Sequence, residues 1–317
     1  MVLTGPNAGN EFRRRIRDHR LLPLIGVYDV FSAQIAANRF EGVFCSGYGF
    51  AASAYGLPDV GYVNWRDMTD FATKIRHAIP AAHILVDVDD GFGDEIVASN
   101  TIRVLESNGL SAVMMEDQKR PRRCGHFEGK EILPAPEYLT KLSRVLETRR
   151  SIFIIARTDA SDPSEGIERA VMYAEAGADG VMVEAIKDLN TISKLRALVS
   201  VPIMVNQLYG GKSPNWRFNE LEDAGASIVI YSTPCLFAAQ YGIERYLDAM
   251  LEQNCLPSEN TASMADCMRV LTGKATPQKP AVGGNSLAAV YTSTSSLGRS
   301  HPENPEQGHR SSGNEAR

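Results

Sequence analysis

The sequence has no long hydrophobic run. No window of it approaches the roughly 20 apolar residues needed to cross a bilayer as a helix, which excludes a helical membrane protein. Near the N-terminus, MVLTGPNAGNEFRRRIRDHR places no apolar stretch behind a basic one, so no secretory signal is expected and the expected location is the cytoplasm. Paired cysteines are also missing. The five present, Cys45, Cys124, Cys235, Cys255 and Cys267, are odd in number and lack C-x-x-C spacing, which points away from a disulfide framework and from structural zinc. Positive charge is scarce as well. With a net charge of -5 and a pI near 5.8, the chain has no basic face outside the short cluster at residues 119–123, too short to follow a duplex. Neither a nucleic-acid nor a membrane partner is expected. With 26 Gly and 16 Pro in 317 residues, a fibrous chain is excluded too.

What is present is a rhythm. Short apolar runs at 24–28, 42–46, 84–89, 112–116, 152–157, 180–184, 202–206 and 227–231 read as eight strands. Between them lie amphipathic helical patterns. Met68, Phe71, Ile75 and Ile79 share a face, as do Leu139, Leu142, Val145 and Leu146, and then Ile167, Ala170, Val171 and Ala174. Strands apolar on both faces and alternating with helices imply a parallel sheet. Eight such units predict an α/β fold, a closed (β/α)8 TIM barrel followed by C-terminal helices, with an open doubly wound sheet as the alternative. The barrel is favoured because the strand ends after the first carry polar groups, as a catalytic rim requires. Residues 1–22 read as a lead-in with a basic helix, 23–275 as the barrel with its C-terminal helices, and 276–317 as a disordered tail rich in Ser, Gly, Pro, Asn and Gln.

The rim carries the chemistry. In a strand Asp87 and Asp89 would project to the same side, and with Glu116 from the next strand they form an all-oxygen set suited to Mg²⁺ or Mn²⁺; the plainer reading of Asp89-Asp90-Gly91 is a solvated turn. Arg122, Arg123, Cys124, Gly125 and His126 sit on a basic loop. The neighbouring cations are expected to favour the Cys124 thiolate, as nucleophile or as proton donor. Arg157 either clamps a substrate carboxylate or forms a structural ion pair. Gly47-Tyr48-Gly49-Phe50-Ala51-Ala52 fits the dinucleotide pattern G-x-G-x-x-A, but a turn at residues 56–58 interrupts it. The segment reads instead as an anion-binding loop formed by Ser46 and the amides of Gly47 and Tyr48, with Asp59 ending a loop over the mouth.

These fragments, in this order, resemble the isocitrate lyase and phosphoenolpyruvate mutase superfamily: Ser46-Gly47, Gly56-Leu57-Pro58-Asp59, the run from Asp87 to Gly93, Glu116-Asp117-Gln118, Arg123-Cys124-Gly125-His126, Ile155 to Ala160, Val183-Glu184-Ala185, and Asn206 with Gly210 to Pro214. The resemblance implies a barrel whose last helix is exchanged between subunits, usually in a homotetramer, and a Mg²⁺ that chelates an α-oxyacid. It implies that Asp87, Asp89 and Glu116 hold the metal, that Ser46, Gly47 and Arg157 grip a small carboxylate substrate, and that Cys124 protonates the leaving fragment. Arg122 and His126 join Cys124 in the expected catalytic set; Tyr48, Asp59, Gly125, Glu184 and Asn206 join the expected substrate-binding set.

Cys-Gly-His on the loop is similar to the carbon–carbon lyases, which act on methylisocitrate, dimethylmalate or oxaloacetate, and also to carboxyphosphonoenolpyruvate mutase. A lyase of a small 2-hydroxy or 2-oxo dicarboxylate is therefore expected, with a P–C bond-forming mutase and a non-catalytic metabolite-binding barrel as alternatives. Four positions depart from the family pattern. Phe44 stands where lyases carry Tyr, Arg122 where the loop Lys is usual, Tyr209 where Glu often precedes Gly-Gly, and Phe237 where methylisocitrate lyases place Arg. The last argues for a dicarboxylate over a tricarboxylate, because an unpaired carboxylate against an apolar wall costs several kcal/mol.

Overall fold

Along the strands, side chains alternate between two apolar compartments, and that alternation accounts for the architecture. Leu22, Leu24, Phe44, Leu85, Ala112, Met114, Phe153, Ile155, Met182, Met204, Ile228 and Ile230 fill the inside of a cylinder. Their neighbours, including Val43, Ile84, Val86, Val113, Ile154, Val181, Ile203 and Val229, face outward against the helices. Burying each such Leu, Ile or Val side chain contributes about 1.5–3 kcal/mol.

A computed structural model describes residues 7–18 and 20–273. The helix α1 (Ala8–Asp18) precedes β1 (Leu22–Val27), α2 (Val30–Ala37), β2 (Gly42–Cys45), a short α3 (Gly47–Phe50) that runs on as wider helix over Ala51–Tyr55, and α4 (Trp65–Ala78). Next come β3 (His83–Asp87), α5 (Glu95–Ser107), β4 (Ala112–Glu116), α6 (Ala135–Thr148), β5 (Phe153–Thr158) and α7 (Pro163–Glu175). The chain continues through β6 (Gly180–Val183), α8 (Leu189–Leu198), β7 (Ile203–Gln207), α9 (Phe218–Asp223), β8 (Ile228–Tyr231), α10 (Pro234–Gln253) and α11 (Met264–Leu271). All eight strands are parallel, each pairs with the next, and β8 closes on β1 with Leu24 opposite Ile230. The expected closed barrel is therefore present, and the open sheet is excluded. The tail expected at 276–317 lies outside the described residues.

Helix α1 plugs the N-terminal end of the cylinder. Phe12 is fully buried, edge-on to His83 at 5.5 Å and to Phe153 at 5.2 Å. Arg13 anchors the helix to Asp179 at 2.8 Å, and Arg15 reaches Glu41 at 2.7 Å. Asp162 caps α7 by accepting from the amides of Ser164 and Glu165, and Gly177, with φ +99°, takes the chain out of that helix. In contrast, the 20-residue α10 fully buries none of its side chains; Cys235 and Phe237 near its start are half-buried, and Tyr241, Ile243, Leu247 and Leu251 are exposed. No helix among the described residues is long and apolar enough to cross a membrane.

Candidate active site

The inward phase of the strands delivers the site. Two residues beyond the last interior side chain stand Ser46 after Phe44, Asp87 after Leu85, Glu116 after Met114, Arg157 after Ile155, Glu184 after Met182 and Asn206 after Met204, all buried. Glu116 and Arg157 lie opposite each other in the β4–β5 register. Asp89 arrives differently. Strand β3 stops at Asp87 and Asp89 has φ +48°, so a left-handed turn brings its carboxylate back, not the strand alternation expected from the sequence. Both aspartates face Gly47, where a Cβ would lie 3.2 Å from Asp87 Oδ2 and 3.5 Å from Asp89 Oδ1. The segment after Ser46 is likewise a helical start, not an open loop. Ser46 Oγ accepts from the Gly49 amide at 3.1 Å and caps α3, leaving the Gly47 and Tyr48 amides as first-turn donors without helical acceptors.

The loop after β4 closes over this rim. Its ends are tied by the Gln118–Ile132 bridge and by a Lys119 amide bond to Glu131 O at 2.8 Å. Gln118 holds both backbone groups of Arg123, at 2.8 and 2.9 Å. The Cys124 amide donates to Asp59 O at 3.1 Å, and Lys130 Nζ reaches Asp159 at 2.9 Å and Gly125 O at 2.6 Å. Gly125 lies flat on the site: a Cβ there would be 2.4 Å from Arg157 Nη2 and 2.5 Å from Glu184 Cγ. Beneath the loop lies a cavity of about 30 Å³, partly open to solvent and lined among others by Phe44, Tyr48, Asp87, Cys124, Arg157 and Ser232.

Arg122 occupies the middle of the acids. Its Nε donates to Glu116 Oε1 at 2.7 Å, while Nη1 bonds Asp59 Oδ1 and lies 3.2 Å from Asp89 Oδ1; the side chain is 2% exposed. Arg157 is equally engaged, 2.8 Å from Asp159, 3.2 Å from Glu116 and 3.3 Å from Glu184. Burial pushes Asp87 up and Asp89 well up, and raises Glu116 to about 8, against the pull of the two guanidiniums. Asp159 goes the other way, to about 2, because Arg157 and Lys130 outweigh its burial. The hard oxygens of Asp87, Asp89 and Glu116 suit Mg²⁺ or Mn²⁺, and Glu116 Oε2 is buried without a hydrogen bond, its nearest cation being Arg157 Nη2 at 3.2 Å. With Arg122 standing between them, however, no three acidic, His or Cys groups among the described residues are gathered as a metal site. The acids fit such an ion once the guanidinium withdraws.

Cys124 corrects an expectation. It is 8% exposed, and burial, followed by the nearby Asp59 carboxylate, pushes its thiol up to about 12. Arg122 is turned away into the acids, so the thiol stays protonated rather than becoming a thiolate. His126 sits below it. Its Nδ1 accepts from the Lys212 amide at 3.0 Å, while Nε2 lies 3.3 Å from Glu184 and 3.1 Å from Asn206 Nδ2. Burial lowers its pKa and keeps it neutral. Asn206 completes the layer, with Oδ1 accepting from Ser232 Oγ at 2.6 Å.

A family model described as phosphoenolpyruvate phosphomutase matches residues 12–251. The chain belongs to the phosphoenolpyruvate mutase and isocitrate lyase superfamily. It is 34% identical over 246 residues to 2-methylisocitrate lyase of Bacillus subtilis, covering 76% of this chain and 81% of that one. It is 30% identical over 239 residues to 2,3-dimethylmalate lyase of Eubacterium barkeri, covering 74% and 82%. Among solved structures, oxaloacetate acetylhydrolase in complex with 3,3-difluorooxalacetate superposes with a TM-score of 0.80 at 26% identity, over 84% of this chain and 94% of that one.

Within this superfamily member the three departures besides Arg122 have distinct places. Phe44 is buried in the cavity floor, Phe237 packs edge-on to Tyr48 at 6.3 Å, and Tyr209 is 91% exposed, away from the site. Three participants escaped sequence reading: Lys130, Asp159 and Lys212. Asp159 had a signal, standing two residues after Arg157. Lys212 stood within the fragment Gly210 to Pro214 and Lys130 at the end of the run from Arg123, but what they touch depends on two loops meeting.

Proposed function

We propose that this chain is a carbon–carbon bond lyase acting on a small 2-hydroxy or 2-oxo dicarboxylate. The observation that carries the reading is a protonated thiol, Cys124, held by a closing loop in the wall of a cavity whose polar side is acids and guanidiniums. Mg²⁺ or Mn²⁺, held by Asp87, Asp89 and Glu116, would polarise the substrate's oxygen and carboxylate. Arg157 and the Gly47 and Tyr48 amides are placed to take a carboxylate, with the substrate replacing an acid now shared by Arg157. As the C–C bond of a 2-hydroxy acid breaks, its hydroxyl proton passes to a carboxylate of the lining (Asp59, Asp87 or Glu184), the electron pair leaves on the departing fragment as an enolate, and the Cys124 Sγ proton ends on that carbon. A 2-oxo acid first adds water at its carbonyl carbon, and the hydrate's hydroxyl then plays the same part. His126, held by the Lys212 amide, and Glu184 orient the polar end. Phe44, Met114, Leu208 and Ile230 form the apolar part of the lining, and Arg122 and Arg157 are its guanidiniums. A dicarboxylate therefore suits the cavity better than a tricarboxylate.

Cys124→Ala tests the reading. Turnover of substituted malates or oxaloacetate should be abolished while oxalate, titrated calorimetrically with Mg²⁺, still binds; undiminished turnover would remove Cys124 from the chemistry. The second reading, a P–C bond-forming mutase, is favoured by the run from Arg123 to Lys130 and would be marked by a phosphonate signal in phosphorus NMR. We also read the bare apolar face of α10 as the helix exchanged between subunits of a homotetramer. Analytical ultracentrifugation would return a monomer mass if that is wrong.

A further inference from the structure

We infer that Arg122 and a divalent cation are mutually exclusive occupants of the acidic cluster, so that loading the metal unlatches the loop that Arg122 belongs to. The guanidinium uses the oxygens the ion needs: Glu116 Oε1 at 2.7 Å, Asp89 Oδ1 at 3.2 Å and Asp59 Oδ1. A Mg²⁺ ion takes its ligands at about 2.0–2.1 Å in near-octahedral geometry, which these oxygens cannot offer while they accept from Arg122. The two cations would also repel within a site whose walls exclude water. Nor can the side chain yield alone. Arg122 is 2% exposed, and its neighbour Cys124 is tied through its amide to Asp59 O, so withdrawing the guanidinium shifts the chain on both sides of it. The contact of Lys130 with Asp159 does not touch the acids Arg122 holds and stays as a hinge, while the Gln118 bonds to the Arg123 backbone yield with the shift. A lysine at this position would offer one compact ammonium; the forked guanidinium spans Glu116, Asp59 and Asp89 at once and makes the exclusion stronger. Metal loading then precedes closure over substrate.

The inference rests on the metal-assisted reading above, and Mn²⁺ alone, without substrate, separates the two. Electron paramagnetic resonance titration should show Arg122→Gln binding Mn²⁺ about tenfold or more tighter than the wild type, because a protein closed on its own guanidinium nine-tenths of the time loses that factor in apparent affinity. Arg122→Lys should fall between. In the wild-type protein itself, where folding of a variant is not at issue, Mn²⁺ should speed amide hydrogen exchange across residues 119–131, and Glu116→Gln should remove the response. Equal Mn²⁺ affinity in wild type and Arg122→Gln, or slowed exchange in the loop, overturns the exclusion and leaves the metal reading standing. Mn²⁺ binding to neither protein overturns both.

Discussion

The two ends of the barrel treat buried charge in opposite ways. At the N-terminal end, Asp179 is met by Arg13, Arg149 and the Ile154 amide, and Glu106 accepts from the amides of Arg150, Ser151 and Ile152. Those carboxylates are satisfied within the fold, largely by backbone, and the arrangement has one answer. At the C-terminal end, Asp59, Asp87, Asp89, Glu116, Asp159 and Glu184 share Arg122, Arg157 and Lys130. Acids outnumber cations there, and burial raises Asp87, Asp89 and Glu116. A surplus of buried negative charge costs stability and can be relieved by an incoming cation, which is the mark of a site rather than a scaffold.

Three measurements would break or sharpen that contrast. Phe12→Ala should have the largest effect, about 3–5 kcal/mol of unfolding free energy, because it empties the plug between His83 and Phe153. Denaturant unfolding reads it, and substrate affinity measured below the transition should not move; a change in affinity would mean the two ends are coupled. Gly125→Ala should do the reverse. The added methyl would lie 2.4 Å from Arg157 Nη2, so the loop cannot close, and turnover should fall about 100-fold, or about 2.7 kcal/mol, with the melting temperature little changed. A loss of stability matching the loss of rate would make the loop part of the scaffold.

The smallest effect is that of pH on the plug. Burial lowers His83 from an ordinary 6.5 to about 4, so the unfolded chain binds the proton first. His83 therefore adds stability above pH 6.5 that is lost as pH falls toward 4. Between pH 7 and pH 5, His83→Leu should lose about 2 kcal/mol less than the wild type. Equal losses would show that His83 titrates normally and that the bottom of the barrel is open to water.

Much of the rim was legible before folding was considered, because it follows from a period of two. Once Leu85, Met114, Ile155, Met182 and Met204 are inward, Asp87, Glu116, Arg157, Glu184 and Asn206 must follow them at the strand ends. Asp89 reaches the rim by a route other than the expected strand alternation, since its left-handed backbone is not written in that alternation. The state of Cys124 was misread from its neighbours in sequence. Arg122 and Arg123 flank it along the chain, but one is spent on the acids and the thiol faces a water-poor cavity, so desolvation dominates over adjacency.

Local sequence determined the eight-fold strand–helix order, the inward and outward faces, the caps such as Asp162, and the family fragments on the rim, because each depends on spacing and chemistry within a few residues. Only the tertiary structure decided which cation sits among the acids, which groups His126 meets, and how tightly the loop closes on Gly125. Those outcomes depend on distances between groups tens of residues apart, such as Arg122 and Asp59 or His126 and Lys212, and on how much water burial removes from around them.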